Sequence, residues 1–182
     1  MRRTRPAAPG QLLARLLPLL AIAACHRGGE LPADRPVTVD SLVLERTLCY
    51  GSCPAYRLRI RADGELTFAS RNPGDTAGAK TDSIAPARVA WLAREVERLG
   101  FFSLPPVIAD DSTLCPLRAT DHPTATVTVF REDSTHEVVD YHGCYVSHDL
   151  TIAPPVRELR QLETEIDSVA GVDRWASAPA RR

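Results

Sequence analysis

Five cysteines and five histidines carry most of the reactive chemistry in this 182-residue chain. A thiolate is a nucleophile and a soft metal ligand, and in an oxidising compartment two thiols close into a disulfide. Cys49 and Cys53 stand four positions apart with Pro54 directly after them; Cys115 and Cys144 lie later, and Cys25 stands near the start. The four cysteines beyond Cys25 form an even set with three possible pairings. The expected set is Cys49–Cys53 with Cys115–Cys144. The candidate metal ligands are Asp121, His122, His136, His142 and His148 together with the cysteines. Their spacing fits no zinc pattern, and an oxidised Cys144 does not ligate, so no metal site is expected. Asp110-Asp111 offers oxygens for Ca²⁺ without the loop pattern of a calcium site. Asp121 is expected to cap a turn ahead of Pro123. No Ser-His-Asp or Cys-His order has supporting local context, and glycine-rich phosphate loops are absent. The chain therefore reads as non-enzymatic, with no cofactor.

The position of Cys25 gives it a different role from the other four. Arg2, Arg3, Arg5 and Arg15 open the chain without an acid, and Leu16 to Ala24 is apolar except for Pro18. A helix of nine residues rises about 14 Å, far less than the roughly 30 Å of a hydrocarbon core. The stretch 1–24 therefore reads as an export signal. Ile22-Ala23-Ala24-Cys25 resembles the lipobox of bacterial lipoproteins. That resemblance implies cleavage before Cys25 and two or three acyl chains on it, enough to hold a soluble domain at a membrane. His26 after the cysteine points to the outer membrane in a Gram-negative host. Cleavage would remove four arginines, leaving 18 of the 22 basic residues against all 23 acidic ones, a net charge of −5. Such a charge argues against a nucleic-acid partner, which needs a basic face.

The elements that position the later cysteines follow from periodicity. Residues 25–40 contain Gly28, Gly29, Pro32 and Pro36 and read as a flexible tether. A first strand is expected over 41–47. Over 55–61, Tyr56, Leu58 and Ile60 alternate with Arg57, Arg59 and Arg61, the strongest strand pattern in the chain. Asp63-Gly64 signals a two-residue hairpin into a strand over 65–69. Residues 71–83 read as a loop. Pro86 begins a helix with the stripe Val89, Leu92, Val96 and Leu99, and Gly100 ends it. Two further strands are expected over 124–131 and 136–141. A second helix from Pro154 or Pro155 has the stripe Leu159, Leu162, Ile166 and Val169, with Gly171 at its end. The expected fold is α+β: a two-layer, about five-stranded, mainly antiparallel sheet with two helices on one face, in the order βββαββα. The domain spans 41–175, and 176–182 is a frayed tail. The arginine row is expected to face solvent, paired across strands with Glu45 and Glu65.

The segment Arg46-x-x-Cys49-Tyr50-Gly51-x-Cys53-Pro54-x-Tyr56, followed by Asp63-Gly64, resembles an uncharacterised family of bacterial envelope domains. Phe101-Phe102, Thr120-Asp121-x-Pro123 and Asp140-Tyr141 extend the likeness over roughly residues 41–175. Ala69-Ser70 departs from it, where many members carry glycine. The resemblance implies a small envelope domain, frequently on lipoproteins, with no assigned catalytic residues. In its short Cys-x-x-x-Cys-Pro piece alone, the chain also resembles copper-chaperone thioredoxin-like proteins, in which that motif opens a helix. Here an alternating strand follows Pro54. The leading expectation is thus a membrane-anchored, disulfide-stabilised module that binds or scaffolds an envelope protein or glycan. A periplasmic thiol-redox or copper-handling protein using Cys49 and Cys53 is the alternative.

Overall fold

The alternation of β2 (Tyr56–Arg61) sets the architecture: Tyr56, Leu58 and Ile60 are buried, while Arg57, Arg59 and Arg61 point away. The same parity runs through β1 (Ser41–Arg46), β3 (Glu65–Ser70), β6 (Thr124–Arg131) and β7 (Ser134–Tyr141). One sheet face therefore carries Leu42, Leu44, Leu58, Ile60, Leu66, Phe68, Ala125, Val127, Val129 and Val138, all buried. This computed structural model describes residues 38–132 and 134–176. The expected export signal, Cys25, nearly all of the tether and most of the tail lie outside the described residues.

With β4 (Lys80–Ser83), the main sheet has six strands in the order β4-β3-β2-β1-β6-β7, with every neighbouring pair antiparallel. A meander from β1 to β4 forms one side. The β6–β7 hairpin then adds beside β1, which becomes a central strand. Helices α1 (Pro86–Leu99) and α2 (Pro154–Ala170) pack on each other, and their buried residues join the apolar sheet face in one core. Val89, Leu92, Ala93 and Val96 come from α1; Val156, Leu159, Leu162, Ile166 and Ala170 come from α2. Both helices open with proline in the first turn and end on glycines at positive φ, Gly100 and Gly171, as their sequences predict. Trp175 packs on Phe68 with ring centroids 5.4 Å apart.

Three expectations need correction. Lys80–Ser83 is a strand, not part of a loop: a polar edge strand exposed on both sides has no apolar alternation to reveal it. The β2–β3 connection has three residues, 62–64, not two, and Gly64 occupies the positive-φ position at 90°. A side chain there would also strike the Ile84 carbonyl oxygen, 2.0 Å from an ideal Cβ. Finally, residues 105–123, whose sequence has no period and predicts an irregular segment, are not wholly irregular. They contain the two-residue β5 (Leu117–Arg118), which pairs with β8 (Cys144–Tyr145). That small ladder sits beside the Cys115–Cys144 bond.

The opposite sheet face is polar. Arg57 pairs with Glu45 directly across the strands, and Arg61 lies 3.9 Å from Glu65. Thr128 donates to Glu137 at 3.1 Å. Val43 is buried on this face, in register between Arg59 and Thr128.

Candidate functional site

The inward parity of the sheet ends in charge. On β1 the inward positions run Leu42, Leu44 and then Arg46; on β7, Val138 is followed by Asp140; β2 begins inward with Tyr56. Helix α2 meets these positions with Arg160, Glu163 and Asp167, whose spacings of three and four place them on one stripe beside the apolar one. Arg46 Nε donates to Asp167 Oδ2 at 3.0 Å and Arg46 Nη1 to Glu163 Oε2 at 3.2 Å. Tyr56 donates its hydroxyl to Asp167 Oδ1 at 2.5 Å and accepts from Arg46 Nε at 3.0 Å. Arg160 forks Asp140 through Nε at 2.7 Å and Nη2 at 3.2 Å, and Nη2 also donates to the Tyr141 carbonyl. His142, just past β7, brings Nε2 within 2.9 Å of Glu163 Oε2 and 3.6 Å of Asp140 Oδ2.

Burial gives this network its energetic weight. Asp140 and Glu163 are each 0% exposed. A buried carboxylate costs several kcal/mol in lost hydration unless cations and donors replace the water. Arg160 does this for Asp140, whereas Arg46 serves both Glu163 and Asp167. Burial pushes the Asp167 carboxyl above its ordinary value, against the pull of Arg46 and Tyr56. Burial, then the Asp167 charge, raises the Tyr56 hydroxyl well above the usual phenol range, so it remains a donor. For Arg46, burial pulls downward, but Asp167 and Glu163 outweigh it and keep the guanidinium charged.

Arg46, Tyr56 and Asp167 also line a cleft of about 430 Å³ at this end of the sheet. Its walls include Thr47, Ser52, Cys53, Pro54, Pro123 and Asp173. The Cys49–Cys53 bond closes the β1–β2 connection beside it, and Tyr50 projects from that connection, 90% exposed. Residues of the Arg46-to-Tyr56 motif thus meet in space. Their hydroxyl, guanidinium and carboxylate groups are donors and acceptors of directional hydrogen bonds.

The other sequence candidates are dispersed. Both expected disulfides are present, Cys49–Cys53 and Cys115–Cys144. Pro54 leads into β2, so the first pair does not open a helix. His136 contacts the Leu104 carbonyl and the rings of Phe101 and Phe102. His122 packs against Tyr141 and Tyr145, and His148 lines a separate shallow pocket. Asp121 does not act as the expected side-chain cap: it adopts a positive φ of 71°, and its backbone carbonyl accepts from Tyr50. Asp111 caps its own turn through Thr113 and Leu114. Among the described histidines, only His142 joins the charged network. Sequence reading passed over Arg46, Asp140, Arg160, Glu163 and Asp167 as site residues. The available signal was parity: Arg46 and Asp140 are charges at inward strand positions.

Comparison with known families supplies the remaining context. A family model described as a domain of unknown function (DUF6438) matches residues 40–170, most of the chain. The protein belongs to the DUF6438 family. The matched span runs from the residue before β1 to the last residue of α2, so both arms of the charged network lie within the DUF6438 domain. No curated protein matches the chain.

Proposed function

We propose that this DUF6438 domain is the ligand-binding module of an exported bacterial lipoprotein, held at the membrane by acyl chains on Cys25. The cleft at Arg46, Tyr56 and Asp167 takes a polar envelope ligand of the glycan kind. The observation that carries the reading is this hydrogen-bonded trio lining a cleft beside the Cys49–Cys53 staple. Glycan hydroxyls both donate and accept, which suits a guanidinium, a phenol and carboxylates set side by side. Among the described residues, no helix is long and apolar enough to cross a membrane.

The anchor is tested by fractionation. Mass analysis of the membrane fraction is expected to give an N-terminal Cys25 peptide carrying acyl chains, and Cys25→Ser is expected to release the protein into the soluble fraction. Retention of residues 1–24 on the mature protein, or unchanged fractionation of the variant, would overturn it.

A further inference from the structure

Behind the cleft, the network contains a group whose needs it does not meet. Glu163 is 0% exposed, and its Oε1 has no hydrogen-bond partner although its Oε2 faces both Arg46 and His142. Arg46, its one arginine partner among the described residues, is shared with Asp167. A buried carboxylate oxygen without a donor bears its full desolvation cost. Beside it, Asp140 and His142 complete a set in which one donor atom from each residue lies within 4.8 Å of the others.

We propose that Asp140, His142 and Glu163 form a binding site for one divalent transition-metal ion of the zinc class. The donor types select the ion. One imidazole nitrogen with two carboxylate oxygens suits Zn²⁺ and its first-row neighbours, whereas Ca²⁺ and Mg²⁺ favour oxygen-only sets. Three protein donors leave a fourth tetrahedral position for water. The His142 side chain is 22% exposed, providing a route inward, while the two carboxylates are closed off from solvent. On binding, His142 Nε2 exchanges its contact with Glu163 Oε2 for the ion, with any proton on that nitrogen passing to solvent. The arginines remain outside the ion. Arg160 keeps its fork on Asp140 and fixes the plane of that carboxylate, as outer partners of metal-ligating carboxylates do. Arg46 holds Glu163 in the same way. The donors come from β7, the residue just beyond it and α2, so the ion would tie the second helix to the edge strand of the sheet. This site does not depend on the glycan reading: its donors are not among the residues lining the cleft.

Calorimetric titration of Zn²⁺ into the purified protein tests the proposal, with both disulfides intact and no polyhistidine tag. One equivalent is expected to bind, and Co²⁺ in its place is expected to give the visible absorption bands of a tetrahedral nitrogen–oxygen site. His142→Ala should weaken Zn²⁺ binding at least tenfold and abolish the Co²⁺ bands, while His122→Ala and His136→Ala should change neither. Arg160→Lys, which keeps the charge but loses the fork, should weaken binding by about 10–100-fold. Circular dichroism of each variant separates lost binding from lost folding. No saturable Zn²⁺ binding by the folded protein would overturn the site. So would binding unchanged in folded His142→Ala, or a preference for Mg²⁺ or Ca²⁺ over Zn²⁺.

Discussion

Replacing Arg160 with Met is expected to destabilise the domain by about 3–5 kcal/mol, the cost of removing one partner from a buried ion pair. Asp140 is fully buried, and both of its oxygens accept from Arg160. His142 Nε2 lies 3.6 Å away, and the neighbouring Glu163 is a second buried acid rather than a cation. Methionine fills much of the arginine stem's volume, so the loss measures an unpaired carboxylate more than a cavity. The double variant Asp140→Leu/Arg160→Met should recover much of the stability, because it removes the desolvation cost along with the attraction. Denaturant midpoints with unchanged slopes would report both changes. A single variant within 0.5 kcal/mol of the parent, a rough bound for uncoupled surface substitutions, would show that Asp140 does not rely on Arg160.

Removing the Cys115–Cys144 bond by a paired change to Ala should cost about 3.6 kcal/mol on the loop-entropy scale, and removing Cys49–Cys53 about 2 kcal/mol. The difference follows from sequence separations of 29 and 4 residues. The longer bond also has more to organise: it joins the segment after α1 to the loop after β7, beside the two-residue β5–β8 ladder. Both values come from unfolding midpoints with and without reductant. The ranking matters as much as the size. A Cys49–Cys53 pair that reduces near −200 mV, in the range of catalytic rather than structural bonds, would favour the thiol-redox reading over a staple.

Much of the fold was legible because its periods are uninterrupted. Leu58 and Ile60 alternating with Arg57 and Arg59, and Leu92 and Val96 stepping by four, required no tertiary knowledge. Strand β4 was hidden because Lys80-Thr81-Asp82-Ser83 faces solvent on both sides and gains its structure only from pairing with β3. The site was the least legible part. Glu163 adjoins the apolar stripe of Leu159, Leu162 and Ile166, and a lone acid there reads as helix surface until Arg46 and His142 arrive from β1 and beyond β7. Sequence separations of 117 and 21 residues carry no local signal. The cysteine pairing succeeded for the opposite reason: few arrangements of four cysteines are possible.

The central claim, a glycan-binding cleft at Arg46, Tyr56 and Asp167, is tested most directly by amide-resolved NMR of the Cys25→Ser protein titrated with soluble cell-wall glycan fragments. The predicted result is saturable shifts concentrated at Arg46, Thr47, Ser52, Tyr56, Asp167 and Asp173, with Tyr56→Phe weakening the interaction about tenfold, in keeping with loss of one charge-assisted hydrogen bond. The contradicting result is no saturable shift, or shifts that gather instead on Arg57, Arg59 and Arg61 of the outer sheet face and are indifferent to Tyr56→Phe.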